Sequence, residues 1–256
     1  MRLRPCIDIH NGKVKQIVGS SLKDEKKSVK ENFVSEYDAA YYAGIYRDRS
    51  LTGGHVIVLN SHKSEYYEAS RKAAFSALSA FPGGMQYGGG INNENAALFL
   101  EAGASHVIVT SFVFRDGRLN TENLRRLQSE CGKERIVLDL SCRKKEDGYY
   151  YVTTDRWQKY TDLLVTEESL RNLSSECGEF LVHAVDKEGK GEGVDRELIR
   201  ILSGVKEIPV TYAGGIKSLN DVDIIEKEGA GRIDYTVGTA LDLFGGKLKL
   251  DELIRR

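Results

Sequence analysis

Neither sign of charge is in excess in this chain of 256 residues, which carries 37 basic and 38 acidic side chains and a formal net charge of −1. A balanced charge provides no long-range field to gather nucleic acid, so any anionic ligand has to be held locally. The sequence also lacks the roughly 20 consecutive apolar residues of a membrane span, and its first residues lack the apolar stretch of a signal peptide. We therefore expect a cytoplasmic protein with no nucleic-acid partner and no membrane partner.

The spacing of the cysteines does not indicate a structural site either. The four cysteines are far apart in sequence and none belongs to a CxxC pair, so neither a zinc cluster nor a compact disulfide framework is predicted. No second histidine or cysteine stands at ligand spacing from His183, which we interpret as a packed or hydrogen-bonded interior residue. The sequence therefore predicts reduced thiols and no metal.

What the sequence does contain is a regular alternation of two kinds of segment. Longer mixed segments typical of helices occupy residues 64–81, 120–131, 166–176 and 219–228. Short apolar runs rich in β-branched residues occupy residues 3–9, 55–59, 85–87, 106–109, 136–140, 180–185, 210–213 and 234–237. Such alternation predicts an α/β protein with a parallel sheet covered by helices. Eight strands suit a closed barrel, although an open doubly wound sheet gives much the same pattern.

An internal repeat decides between these two architectures. Residues 87–91 match residues 212–216 at an offset of 212 − 87 = 125, and at this offset Asn93 meets Ser218, both suitable helix N-caps. A duplicated unit of four strands and four helices closes naturally into eight. The prediction is a single (β/α)8 TIM barrel over residues 1–256, with half-barrels at approximately 1–131 and 132–256.

The repeat also contains glycine turns suited to anions. Glycines between a strand and a capped helix let backbone N–H groups approach a phosphate. One such turn is more simply explained as a tight turn, but two equivalent turns, each followed one strand later by small or hydroxyl residues, favour phosphate. The predicted phosphate ligands are Gly89, Gly90, Thr110 and Ser111 in the first half and Gly214, Gly215, Gly238 and Thr239 in the second.

Two carboxylates end the first strand of each half, Asp8 and Asp139. Strands one and five face each other across a barrel, so these groups are candidates for a general base and a general acid on opposite sides of one substrate. The alternative is a loop cap or a surface ion pair with Lys13 or Arg143.

Two long connections, residues 19–36 and 143–161, follow the first and fifth strands and are candidate lids. Trp157 in the second one either closes over a heterocycle or anchors the loop by packing. Residues 149–151 are predicted to form a small hairpin. The charged run 186–191 is most simply a solvated loop, although its position after strand six admits a substrate contact.

Together these residues resemble the ProFAR isomerase family of histidine biosynthesis (phosphoribosylformimino-aminoimidazole carboxamide ribotide isomerase), and more closely its eukaryotic branch. The related cyclase of the same pathway shares the duplicated barrel and both aspartates, whereas the run Ser141-Cys142-Arg143 followed by Trp157 is similar to the isomerase. The resemblance rests on residues 5–14, 55–57, 88–91, 109–111, 139–143, 180–184 and 213–216.

The resemblance implies an Amadori rearrangement of an aminoaldose to an aminoketose on a substrate with a phosphate at each end. Asp139 would protonate the ribose ring oxygen, Asp8 would remove the proton from the neighbouring carbon, and no cofactor would be needed. It further implies that Arg143 and Trp157 hold a ring and that Asp186 or Glu188 contacts the substrate. Ala184 departs from bacterial members, which carry a hydroxyl residue there.

Two other functions stay open at this point. One is the cyclase, a lyase that needs a glutaminase docked on the bottom of the barrel, and the other is a non-catalytic barrel that binds a phosphosugar. We expect the chain to act as a monomer.

Overall fold

The computed structural model describes residues 1–17, 31–155, 157–187 and 192–256. Within these ranges the chain forms 15 strands and eight α-helices. The strands are β1 (Cys6–His10), β2 (Lys13–Ile17), β3 (Glu31–Val34), β4 (Gly54–Val58), β5 (Met85–Gly88), β6 (Val107–Val109), β7 (Phe114–Arg115), β8 (Arg118–Leu119), β9 (Ile136–Asp139), β10 (Cys142–Lys144), β11 (Tyr150–Thr154), β12 (Lys159–Leu164), β13 (Glu179–His183), β14 (Val210–Ala213) and β15 (Ile233–Tyr235). The helices are α1 (Ala39–Asp48), α2 (Tyr67–Ala80), α3 (Ala96–Glu101), α4 (Thr121–Cys131), α5 (Glu167–Leu173), α6 (Arg196–Ser203), α7 (Leu219–Glu228) and α8 (Leu250–Ile254). In these parts of the chain no helix has the length and apolar character needed to cross a membrane.

Eight of the strands form a parallel barrel in the order β1, β4, β5, β6, β9, β13, β14, β15. The ring closes ahead of β1, where the Arg4 N–H donates to the Tyr235 carbonyl at 2.8 Å and the Tyr235 N–H donates to the Arg2 carbonyl at 3.0 Å. Leu3 and Tyr235 form the corresponding parallel bridge. The predicted (β/α)8 barrel is therefore confirmed, and the open sheet is excluded.

The two glycine turns of the repeat have the same backbone. Gly89 and Gly90 have φ of +123° and +72°, and Gly214 and Gly215 have φ of +109° and +78°. These values lie in the region that residues with a Cβ avoid, which explains the glycines at both places. The half-barrel boundary predicted near residues 131 and 132 falls between α4 and β9.

The helices after the two turns begin differently. Ser218 caps α7 as predicted, because its hydroxyl accepts from the Asp221 N–H. The prediction of Asn93 as the matching cap is wrong. The Asn92 side chain accepts from the backbone N–H groups of Glu94 and Asn95 and forms an extra turn, so that α3 starts only at Ala96.

The first loop of each half carries an antiparallel extension. β2 and β3 follow β1, while β10, β11 and β12 form a three-stranded sheet after β9. The small hairpin predicted at residues 149–151 is thus part of a larger sheet, with β11 as its central strand. Of the first candidate lid, residues 19–30 lie outside the described ranges.

The interior of the barrel contains an apolar layer and, below it, a polar one. The apolar layer comprises Ile108, Val137, Leu181 and Ala213. At the N-terminal ends of the strands the buried Arg4 side chain donates from Nε to Asp234 at 2.7 Å and lies 3.5 Å from Glu179. Gln86 and Thr211 each donate to Glu179 at 3.0 Å. Paired polar groups thus close this end, and the site lies at the opposite end.

Candidate active site

A cavity of about 240 Å³ opens at the C-terminal ends of the barrel strands. Seven of the twelve predicted site residues line it, namely Asp8, Asp139, Thr110, Ser111, Trp157, Gly214 and Gly238. The other five, Gly89, Gly90, Arg143, Gly215 and Thr239, lie outside its wall. Both aspartates and parts of both phosphate regions therefore meet in one space, as expected for a barrel enzyme.

Asp139, the last residue of β9, is tightly held. Its Oδ1 accepts from the Ser141 hydroxyl at 2.6 Å and from the Ser141 backbone N–H at 3.0 Å, and it lies 3.7 Å from the His183 Nδ1. Burial favours a raised pKa for Asp139, but the bonds from His183 and Ser141 and the charge of His183 outweigh it and lower the pKa. In the free protein Asp139 is therefore a carboxylate beside an imidazole.

Asp8 has a different environment. It lies in the middle of β1, half-buried, and its Oδ2 accepts from the Gln16 Nε2 at 3.2 Å. Gln16 belongs to β2, so the antiparallel extension of the first loop supplies this contact. The same amide lies 3.8 Å from the Cys6 Sγ, which keeps the Gln16 side chain directed into the cavity.

Two histidines that the sequence did not single out as functional also line the cavity. His183 is the last residue of β13, and its Nδ1 lies 3.4 Å from the Ser141 Oγ as well as near Asp139. His55 in β4 is 4% exposed, and burial, reinforced by the charge of His183, lowers its pKa to about 3. His55 is therefore neutral at neutral pH.

The sequence signal for these histidines was present but ambiguous. His55 stands at the start of a predicted strand and His183 near the end of another, and alternation does not show which face of a strand turns toward a ligand. Their convergence depends on barrel closure, which brings strands far apart in sequence around one cavity.

Trp157 reaches the cavity from the connection between β11 and β12. Its backbone φ is +65°, unusual for a residue with a bulky side chain, and its ring centroid lies 6.0 Å from that of His183. A strained backbone that directs an aromatic side chain into a cavity is typical of a ligand-contacting residue. This position favours the ring-closing interpretation of Trp157 over that of a packing anchor.

Arg143 takes part in a contact between two loops. Its Nε donates to the Asp186 Oδ1 at 3.0 Å, and both side chains are about 40% exposed. Arg143 therefore pairs with Asp186 and does not form the alternative surface ion pair with Asp139. The other predicted loop contact, Glu188, lies outside the described residues.

Position 184, where the sequence departs from bacterial members, lies at a contact between strands. Ala184 forms a parallel bridge with Cys142, and the Val185 N–H donates to the Cys142 carbonyl at 3.1 Å. The hydroxyl next to His183 comes instead from Ser141 on the adjacent loop.

Comparison with known proteins identifies this arrangement. Residues 2–249 match the model of a family described as histidine biosynthesis protein. The chain belongs to this family. A relative from Medicago truncatula is 49% identical over 258 residues, covering 99% of this chain and 81% of that protein. A relative from Neurospora crassa is 44% identical, covering 96% of this chain and 94% of its own length, and one from Saccharomyces cerevisiae is 43% identical, covering 95% and 92%.

These three members of the family carry the same enzyme name. Each is named as an isomerase of an imidazole-4-carboxamide that bears a 5-phosphoribosyl and a 5-phosphoribosylamino group, and the Medicago protein is described as chloroplastic. The resemblance predicted from the sequence is thereby confirmed.

Proposed function

We propose that this chain isomerises the same imidazole carboxamide by an aldose–ketose rearrangement in the cavity between Asp8 and Asp139. The observation that carries the proposal is the pair of carboxylates, which come from opposite strands of the barrel and line one cavity with unlike neighbours. Two carboxyl groups in different environments can hold different protonation states, as acid–base catalysis on two sides of a substrate requires.

In this proposal the reaction proceeds by proton transfers at the ring oxygen, at two carbons and at one hydroxyl. The pair of Asp139 and His183 delivers a proton to the ribose ring oxygen, the bond from that oxygen to the anomeric carbon breaks, and a protonated Schiff base forms. Asp8 then removes the proton from the neighbouring carbon, and the electron pair moves toward the positively charged nitrogen. The resulting enolamine gains a proton on the former anomeric carbon and loses the proton of the hydroxyl on the neighbouring carbon, which becomes the carbonyl of the aminoketose.

The lowered pKa of Asp139 decides which group can hold the catalytic proton before it is transferred to the substrate. An isolated carboxylate with a low pKa holds no proton at neutral pH, whereas a carboxylate beside an imidazole shares one with it. We therefore treat Asp139 and His183 as one acid whose proton passes through Asp139 to the substrate. Ser141 fixes the carboxylate, since it donates to the same oxygen twice.

The phosphates are assigned to the two glycine turns. The matched left-handed backbone at Gly89–Gly90 and at Gly214–Gly215 supports one phosphate at each turn. Thr110 and Ser111 on one side, and Gly238 and Thr239 on the other, complete the two sites from the next strand of each half. Arg143 and Trp157 hold the imidazole in this proposal, with Arg143 positioned by Asp186.

The test is a turnover assay of the metal-stripped protein with the bis-phosphorylated aldose, with product analysis, alongside Asp8→Asn and Asp139→Asn. We expect formation of the phosphoribulosyl isomer by the wild type and a loss of roughly a hundred- to ten-thousandfold in each variant. Asp162→Asn, at an exposed position loosely paired with Arg118 at 3.5 Å, is the matched control.

Other outcomes separate the alternatives. An imidazole product formed with ammonia would indicate the cyclase, and binding without turnover would indicate a non-catalytic barrel. Turnover indifferent to either aspartate would refute the acid–base assignment. A cytoplasmic location and a monomeric state complete the proposal, and sedimentation of the purified chain tests the second.

A further inference from the structure

The described lining of the cavity carries little positive charge for the substrate that we propose. Its described lining includes the carboxylates Asp8, Asp139 and Asp155, and among those lining residues there is neither lysine nor arginine. A substrate with two phosphates brings several negative charges, and cationic side chains bind phosphate more strongly than neutral donors do. Among the described residues, cationic side chains that could compensate this charge stand at the rim, near the glycine turns.

His62 stands at the first turn. It lies on the loop after β4, is exposed, and its Nε2 donates to the Gly90 carbonyl at 3.0 Å. A Cβ added to Gly90 would lie 1.9 Å from that nitrogen, so the imidazole rests directly on the turn. The Gly90 carbonyl also accepts from the Asn95 Nδ2 at 3.0 Å and keeps that partner if His62 turns toward a phosphate.

Lys187 stands at the second turn in the corresponding place. It lies after β13, as His62 lies after β4, and the two positions differ by 187 − 62 = 125, the offset that also relates Gly90 to Gly215. A Cβ added to Gly215 would lie 2.9 Å from the Lys187 Cβ. The half-buried Lys187 ammonium lies 3.8 Å from the carboxylate of Glu192, an exposed residue, so the pair is weak.

We propose that His62 and Lys187 are a matched pair of cationic phosphate ligands, one for each end of the substrate. The inference rests on the proposed function, because it assumes one phosphate at each turn. An imidazole can carry a positive charge near neutral pH and an ammonium carries one throughout, so each can form a charge-assisted hydrogen bond with a phosphate oxygen. On binding, His62 leaves the Gly90 carbonyl and Lys187 leaves Glu192.

The variants that test this are His62→Gln and Lys187→Met. Glutamine retains a donor close to the position of Nε2 but cannot carry charge, and methionine retains most of the lysine stem. Lys63→Met removes an exposed cation from the same loop as His62 without touching the turn and is the matched control. His62→Lys and Lys187→Arg retain the charge and serve as rescue variants.

The measurements are the KM and kcat for the bis-phosphorylated substrate and calorimetric binding of two monophosphate fragments, ribose 5-phosphate and 5-aminoimidazole-4-carboxamide ribonucleotide. We expect each neutral variant to raise KM by about ten- to a hundredfold, with a smaller change in kcat, because one charged hydrogen bond is lost. Each should weaken one fragment only, and the two variants should affect different fragments. The rescue variants should recover most of the affinity.

Failure of this inference differs from failure of the proposed function. A wild-type protein without turnover refutes the function. A wild type that turns over normally, while both neutral variants keep its KM and fragment affinities, refutes the matched pair alone. Equal weakening of both fragments in each variant also overturns it, because each cation would then act on the whole cavity instead of on one end. If Lys63→Met weakens binding to the same extent, then general surface charge explains the effect. That result would also overturn the proposal that His62 and Lys187 are specific phosphate ligands.

Discussion

In each half of the barrel, the barrel strands bring one aspartate and one histidine to the cavity, and the two pairs differ sharply. In the second half Asp139 and His183 lie 3.7 Å apart and share the Ser141 hydroxyl. In the first half His55 is buried with its pKa lowered to about 3, while Asp8 is half-buried and bound by the Gln16 amide. The duplicated frame positions both pairs, and in the proposed mechanism their different neighbours suit one pair to act as the acid and the other to supply the base.

In the proposed mechanism, this difference gives asymmetric roles to residues on corresponding strands of a symmetric fold. The strands that hold the four side chains correspond between the halves, but Ser141 and Gln16 come from loop segments that do not. A different loop sequence can change the neighbours, and so the pKa, of a carboxylate that stays in place on its strand. In barrels the loops at the C-terminal ends of the strands have this role.

Removal of His183 should have the largest effect on this comparison. In His183→Gln the acid loses the group that shares its proton, and we expect kcat to fall about a thousandfold. The pH–rate profile should lose its alkaline limb at the same time, since that limb reports the proton of the Asp139–His183 pair. Retention of the limb in the variant would mean that another group stores the proton.

His55 should affect how the free energy of unfolding depends on pH. A folded-state pKa of about 3 for His55, against an ordinary value of 6.5, means that the unfolded chain binds the extra proton between these two pH values. The stability that comes from keeping His55 neutral is therefore complete above about pH 6.5 and is lost as pH falls toward 3. We expect the wild type to lose about 2 kcal/mol more than His55→Gln between pH 6.5 and 4.5. Urea unfolding at both pH values measures this, and parallel losses in the two proteins would contradict it.

A smaller effect is expected from the hydroxyl that fixes Asp139. Ser141→Ala removes the 2.6 Å bond but keeps the backbone donor, so the pKa of Asp139 should rise and kcat should fall about tenfold. Ser141→Thr, which restores a hydroxyl, is the control. An alanine variant with wild-type kcat would show that the backbone N–H suffices.

The smallest effect should come from the neighbour of Asp8. Gln16→Met removes a 3.2 Å hydrogen bond from a carboxylate that is partly open to solvent, and water can replace the lost donor. We expect kcat to fall about threefold, measured under saturating substrate. A fall in kcat as large as that expected for His183→Gln would contradict the proposed difference between the two aspartate environments.

The repeat made the fold predictable, because two glycine turns at one offset can be recognised without knowing any contact. Asp8 and Asp139 were predictable because a charged residue in an apolar strand segment stands out, although only Asp139 ends its strand and Asp8 lies in the middle of β1. The contacts of Arg143 and Ser141 were not predictable from the sequence, because each depends on the conformation of a loop and the sequence pattern does not determine that conformation. Asn93 illustrates the limit of the repeat itself, where a neighbouring asparagine forms the turn instead.

The seam of the barrel has a consequence for how the molecule forms. Barrel neighbours within each half are successive barrel strands along the chain, whereas the closing contact between Arg4 and Asp234 joins residues 230 positions apart. Loop closure over such a distance is entropically unfavourable until most other contacts exist. The active site needs strands from both halves around one cavity, so substrate affinity should arise late in refolding, together with protection of the Arg4 and Tyr235 amides from hydrogen exchange.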